Sequence, residues 1–169
     1  MDSYLRKLRD AIASASSGMS TEELKRHPEG KWSAAEVLEH LYLTYAGTIK
    51  GCERCLQEGR PLARTPALRD RMRTMVVTGF GFMPNGRKAP ERSRPRGMDP
   101  EEVANAIGTT VAAMDEAISR CEARFGKRTK LMDHPVLGPL TARQWRKFHW
   151  VHGRHHVQQI RRLRRLDRQ

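Results

Sequence analysis

Apolar residues recur at spacings of three and four through most of this chain, which is the signature of amphipathic helices. Leu5, Leu8 and Ile12 form one stripe and predict a helix from about Asp2 to Ser16. Ser20-Thr-Glu-Glu23 has the pattern of a capping box and predicts a short extra turn ending before Pro28. Ser33-Ala-Ala-Glu36 is a second capping box, opening a long helix to about Gln57 with Val37, Leu41, Tyr45 and Thr48 along one face. Gly59 and Pro61 stop it. A shorter helix is expected over Ala67–Val77, followed by a long loop rich in Gly, Pro and Arg. Asp99-Pro-Glu-Glu102 supplies an N-cap, a proline at N1 and two acids at the positive helix end. From there Val103, Ile107, Val111, Met114, Ile118, Cys121 and Phe125 run as a core stripe. Lys127–Leu140 is expected to be a loop, and Thr141-Ala-Arg-Gln144 caps the last helix. No strand pattern competes. Four long amphipathic helices joined by connections of mixed length predict an all-α fold, a four-helix bundle with a long loop and short helix between helices 2 and 3.

The last helix has an unusual inner face. Four of the seven histidines, His149, His152, His155 and His156, fall in the run FHWVHGRHHVQQI. At about 100° per residue, Trp145, Phe148, His149, His156, Gln159 and Leu163 lie within about 60° of His152. His155 sits at the edge of this stripe. His152 and His156, four apart, stack on one helix face, where two imidazoles can close on one divalent cation. Burying several unpaired imidazoles costs desolvation, which disfavours a purely structural role for both. A further ligand has to come from another helix. His40 is the histidine within the other three long helices, at the edge of the Val37/Leu41 stripe. His27 and His134 each precede a proline and suit turns. The candidate metal ligands are therefore His40, His152 and His156. Three histidines with an open position describe a catalytic site better than a structural zinc, which is usually closed by four protein ligands. Imidazole ligation suits Zn, Ni, Fe or Cu without choosing among them. Glu36, one turn before His40, suits a supporting or basic role as well as its cap.

Composition bounds the rest. The 169 residues suit one domain, residues 1–169, with an aliphatic core. Three cysteines, Cys52, Cys55 and Cys121, are too few for a disulfide framework and fit a reducing compartment. The single Cys52-Glu-Arg-Cys55 spacing suits helix packing better than redox or zinc chemistry. The charged N-terminus has no apolar signal core, and no apolar run approaches a membrane span, so a cytoplasmic protein without membrane partners is expected. The net charge of +13 concentrates in two zones, +7 over residues 64–98 and +8 over residues 141–169. The first zone is a basic, Pro/Gly-rich insertion or lid. The charge also admits a second class of function, nucleic-acid binding through Arg161, Arg162, Arg164, Arg165 and Arg168, although aromatic residues for base stacking are scarce in both zones. Arg146 and Arg154 are candidates for steering an anionic cosubstrate.

Two segments, GKWSAAEVLEHLYLTY (Gly30–Tyr45) and HPVLGPLTARQWRKFHWVHGRHHVQQI (His134–Ile160), resemble the DinB/YfiT-like superfamily of metal-dependent enzymes. The resemblance lies in Trp32-Ser33 leading a helix to His40-Leu41, and in His152-Gly-Arg-His155-His156 on the last helix. It implies a DinB-like four-helix bundle, often a homodimer, binding Ni or Zn through His40, His152 and His156. It also implies transfer or isomerisation of low-molecular-weight thiol adducts; an open metal position holding water or a thiolate makes the expected function a hydrolase or a low-molecular-weight thiol transferase acting on a small molecule. A bundle that has lost its chemistry and serves as a dimeric interaction module with a vestigial site is the third class of function.

Overall fold

In the computed structural model, which describes residues 1–27, 29–83 and 89–166, the chain is mostly helical. In chain order the elements are α1 (Ser3–Ser16), α2 (Thr21–Lys25), α3 (Ala34–Gln57), α4 (Leu68–Thr74), α5 (Pro100–Phe125), β1 (Lys130–His134), β2 (Gly138–Thr141) and α6 (Ala142–Leu166). Pro28, the PNGRK part of the basic loop and Arg168 lie outside the described residues.

The predicted caps form. The Ser33 hydroxyl accepts from the Glu36 N–H at 3.1 Å, and the Glu36 carboxylate accepts from the Ser33 N–H at 2.7 Å. Ser20 and Glu23 make the same reciprocal pair. Asp99 accepts from the N–H groups of Glu101 and Glu102, with Pro100 at N1. Thr141 and Gln144 close the start of α6: the Thr141 N–H donates to the Gln144 amide oxygen at 3.0 Å, and the Gln144 N–H to the Thr141 hydroxyl at 3.3 Å. Each cap satisfies donors that the first helical turn leaves without partners.

The apolar stripes meet where the periodicity places them. Leu5, Leu8 and Ile12 of α1, Leu38, Leu41 and Tyr45 of α3, and Val111, Met114 and Ile118 of α5 are all buried. α3 packs against α5 and α6, and α1 against α5 and α6. The contact of α1 with α6 is close at Gly153, where a Cβ would overlap Leu8. All three cysteines are buried and free, the Cys121 thiol donating to the Cys52 carbonyl and the Cys55 thiol to the Leu131 carbonyl. Burial pushes all three thiols up, so Cys52-Glu-Arg-Cys55 is helix packing.

Two expectations are corrected. The segment expected as a loop over Lys127–Leu140 contains an antiparallel hairpin, pairing Met132 with Leu140 and His134 with Gly138. Its strands bury Leu131, Met132 and Leu140, but they are too short for alternation to register, and Pro139 argues against a strand. Gly138, at φ +74°, makes the turn. The His134 ring nitrogen Nδ1 accepts from the N–H groups of Val136 and Leu137, both at 3.1 Å, which is the turn role its position predicts. The short helix expected over Ala67–Val77 ends as an α-helix at Thr74 and widens into a π-helical turn over Met75–Gly79. There the Thr78 hydroxyl donates to the Thr74 carbonyl at 2.8 Å, competing with the backbone for that acceptor.

Among the described residues, no helix is long and apolar enough to cross a membrane.

Candidate metal centre

α3 and α6 bring together residues 112 positions apart in sequence. The His40 Nε2 lies 3.2 Å from the His152 Nε2, and the His152 Nε2 lies 3.1 Å from the His156 Nε2. One nitrogen from each ring falls within 4.8 Å of the others. Among the described residues, this is the group of three histidine, cysteine or acidic side chains close enough to share a cation. His40 and His156 are buried, and His152 keeps an edge open to the cavity described below.

The outer hydrogen bonds decide which nitrogens face inward. The His40 Nδ1–H donates to the Ser93 carbonyl at 2.7 Å. A carbonyl only accepts, so in the neutral ring the His40 Nε2 is a bare lone pair. The His156 Nδ1–H donates to the Gln159 amide oxygen at 2.6 Å, while the Gln159 amide nitrogen faces His155 at 3.4 Å. The His156 Nε2 is therefore bare as well. Between these two acceptors sits the His152 Nε2. Its other nitrogen, Nδ1, is buried without a hydrogen-bond partner.

Neutral imidazoles alone leave this arrangement unsatisfied. A single proton on the His152 Nε2 serves one of its two neighbours and leaves the other contact lone pair against lone pair. Extra protons are disfavoured. Burial, followed by the neighbouring imidazoles, holds His152 well below its ordinary value. Burial holds His156 at about 3 and lowers His40 against the opposing effect of its bond to Ser93. Two inward lone pairs set by the outer hydrogen bonds, joined by a third when the neutral His152 ring carries its proton on Nδ1, are the donor set a divalent cation requires. The two separations from the His152 Nε2, 3.2 and 3.1 Å, lie near the roughly 3.4 Å that tetrahedral zinc–nitrogen bonds of about 2.0–2.1 Å require.

Aromatic rings hold the imidazoles in place. Phe148 stacks on His152 with ring centroids 5.3 Å apart, and Trp32 lies 5.2 Å from His40. His149, on the same face one turn earlier, is outside the cluster. Its Nε2–H donates at 3.0 Å to the Thr48 hydroxyl, whose own proton goes to the Thr44 carbonyl. Burial lowers the His149 pKa to about 3. His155 stands at the rim, bonded to Gln159. Glu36 serves its cap through the 2.7 Å bond to Ser33.

Two supporting residues escaped sequence reasoning. Ser93, in a 3₁₀ turn over Glu91–Ser93, orients His40 through its carbonyl, and a backbone atom leaves no sequence signature. Glu39, next to His40, is buried, and its carboxylate accepts from the N–H groups of Arg96, Gly97 and Met98 at 2.6, 3.1 and 3.2 Å. Gln159 was placed on the inner stripe but given no role; its position three residues after His156 is the signal that marks it.

The histidines open onto a cavity of about 1920 Å³ between α3, α6, the hairpin and the segment around the 3₁₀ turn. The two arginines expected to steer an anion do not line it. Arg146 is buried, bonded to Asp115 at 2.9 Å, Glu122 at 2.7 Å and Ser119 at 2.8 Å. Arg154 is exposed, donating to the Gly81 carbonyl at 3.2 Å beside the Trp150 ring.

The profile of one family, described as protein of unknown function (DUF1569), matches residues 3–163, a span containing α1, α3, α5, most of α6 and all three histidines. The chain belongs to the DUF1569 family. No curated protein and no solved structure matches it. In this DUF1569 chain the inward lone pairs of His40, His152 and His156 are the chemically distinctive feature.

Proposed function

We propose that this protein is a metal-dependent enzyme in which His40, His152 and His156 hold one divalent cation, nickel or zinc, with a position open to the cavity. The proposed architecture is a four-helix bundle of the DinB/YfiT-like type, built from α1, α3, α5 and α6, and working as a homodimer. The observation that carries the proposal is the set of three convergent Nε2 atoms, two of them fixed as acceptors by outer hydrogen bonds, on three rings that burial disfavours charging. When bound, such a cation supplies Lewis acidity toward water or a thiol at neutral pH.

The chain's own residues do the rest. Ser93 and Gln159 hold the outer nitrogens of His40 and His156 and so set the tautomer of each ring. Phe148 and Trp32 exclude water from the imidazole faces. The cavity admits a small molecule to the open side of His152. Among the described residues, the three cysteines are buried in the core and Glu36 is engaged in its cap, so none of them is placed as a nucleophile beside the histidines. This supports hydrolysis or transfer of a low-molecular-weight thiol, where the attacking group comes from the ligand side.

The experiment is elemental analysis of protein purified without a histidine tag or added metal, beside a His152→Ala variant. About one nickel or zinc per chain in the wild type and none in the variant is the expected result. Metal content unchanged by His152→Ala removes the proposal. The three-histidine site does not account for nucleic-acid binding, whose arginines Arg162 and Arg165 line the cavity instead.

A further inference from the structure

The lining of the cavity is one-sided in charge and largely carbon. Among the described residues, seven lysines and arginines face it and only two carboxylates, Glu36 and Asp133. Both carboxylates are engaged, Glu36 with the Ser33 N–H at 2.7 Å and Asp133 with Arg64 at 3.6 Å. Two of the cations stand beside the histidines in the chain. Arg92 immediately precedes Ser93, whose carbonyl holds His40. Arg162 lies three residues, about one helical turn, beyond Gln159, which holds His156. Both residues are exposed, and neither guanidinium makes a hydrogen bond or ion pair among the described residues. Arg94, by contrast, is paired with Glu91 at 2.8 Å.

The other walls are apolar. Trp32, Val77, Met132 and Phe148 face the cavity from the segment just before α3, the π-helical turn, the hairpin and α6. The apolar wall continues outward onto Met72 and Val76, which are 60% and 37% exposed. Exposed apolar side chains continuous with a concave, cation-lined cavity mark a ligand surface. A small inorganic anion would use none of this apolar lining, and a neutral apolar ligand would use neither arginine.

We propose that the cavity takes a soluble amphiphilic anion: a compact charged head held by Arg92 and Arg162, and an apolar body lying on Trp32, Val77, Met132 and Phe148. The inference rests on the proposed metal site only in placing the head beside the histidines. The chemistry named is that of the ligand, an acidic group such as a carboxylate, phosphate or sulfonate joined to a hydrocarbon or aromatic portion.

Octanesulfonate tests it, because its head pairs with guanidinium but coordinates divalent metals poorly. Binding is measured by calorimetry against octanol and methanesulfonate, which carry the body and the head alone. Octanesulfonate is expected to bind at least tenfold more tightly than either. Arg92→Gln and Arg162→Gln are each expected to weaken it about tenfold, the size of one lost charge-assisted hydrogen bond, with metal content unchanged. Octanol binding as tightly as octanesulfonate, or a double Arg92→Gln/Arg162→Gln variant binding at wild-type strength, overturns the proposal. The two proposals fail separately. Octanesulfonate binding by a protein that elemental analysis shows to take up no metal upholds this inference while the metal proposal fails. A metal-loaded protein indifferent to octanesulfonate does the reverse.

Discussion

Acidification is expected to destabilise this fold through its own histidines. His134 is held at about 4, and His149 and His156 at about 3, in each case chiefly by burial. In the unfolded chain each returns to about 6.5. The unfolded state therefore binds more protons than the folded one between these values, and stability falls as pH falls through 6.5. The loss levels off only below about pH 3–4, where the folded rings also protonate. From pH 6.5 to 5.5 each ring costs about 1 kcal/mol, and from 5.5 to 4.5 about 1.3 kcal/mol more. The three together remove about 7 kcal/mol by pH 4.5, comparable to the whole stability of a typical domain at 5–15 kcal/mol. Urea unfolding of EDTA-treated protein at pH 7.5, 6.5, 5.5 and 4.5 measures this. With a urea m-value of about 1–3 kcal/mol/M, the midpoint should fall by about 1–3 M between pH 6.5 and 5.5. His149→Gln keeps a donor for Thr48 and removes one titrating ring, so its midpoint should depend on pH less steeply than the wild type's. A midpoint that stays level or rises on acidification, or a His149→Gln slope equal to the wild type, would show that these rings are not buried as described.

Other perturbations read other parts of the structure. Arg146→Met leaves Asp115 and Glu122 without their shared guanidinium and should cost about 3–5 kcal/mol in chemical denaturation; adding Asp115→Asn to it should restore part of that loss. Gly153→Ala gains helix propensity of about 1 kcal/mol but forces Leu8 aside at a cost of about 1–3 kcal/mol. A net loss of melting temperature is expected, and a rise would contradict the close approach of α1 to α6. Cys52, Cys55 and Cys121 should resist a thiol reagent at pH 8 until denaturant is added; rapid labelling of native protein would place one of them at the surface.

The parts of this molecule visible in its sequence are those that local rules determine. Ser33 and Glu36 sit three apart because the cap needs that spacing, and the helix they predict begins at Ala34. The core stripe of α5 follows from 3.6 residues per turn. His152 and His156 share a face for the same reason, and His40 emerged as the histidine of another long helix. The hairpin stayed hidden because Lys130–His134 and Gly138–Thr141 are too short to show a period and are held by tertiary burial. The widening at Met75 depends on where the Thr78 hydroxyl points. Arg146 looked like a free cation because its partners Asp115, Ser119 and Glu122 lie on a different helix. Glu39 escaped notice for a similar reason: its partners are backbone N–H groups 57 to 59 residues away.

Glu39 and His40 are consecutive, and both grip the same distant strip of chain, one through the amides of residues 96–98 and the other through the carbonyl of Ser93. That strip has little regular structure to protect it, so its amides would ordinarily exchange with solvent as fast as those of any surface loop. Tied to a buried carboxylate, they should instead exchange only when this end of α3 lets go, and the hold on the His40 ring is then lost in the same opening. The exchange rate of three loop amides thus becomes a clock for how often the histidine centre comes apart, in a protein whose substrate need not be known to run it.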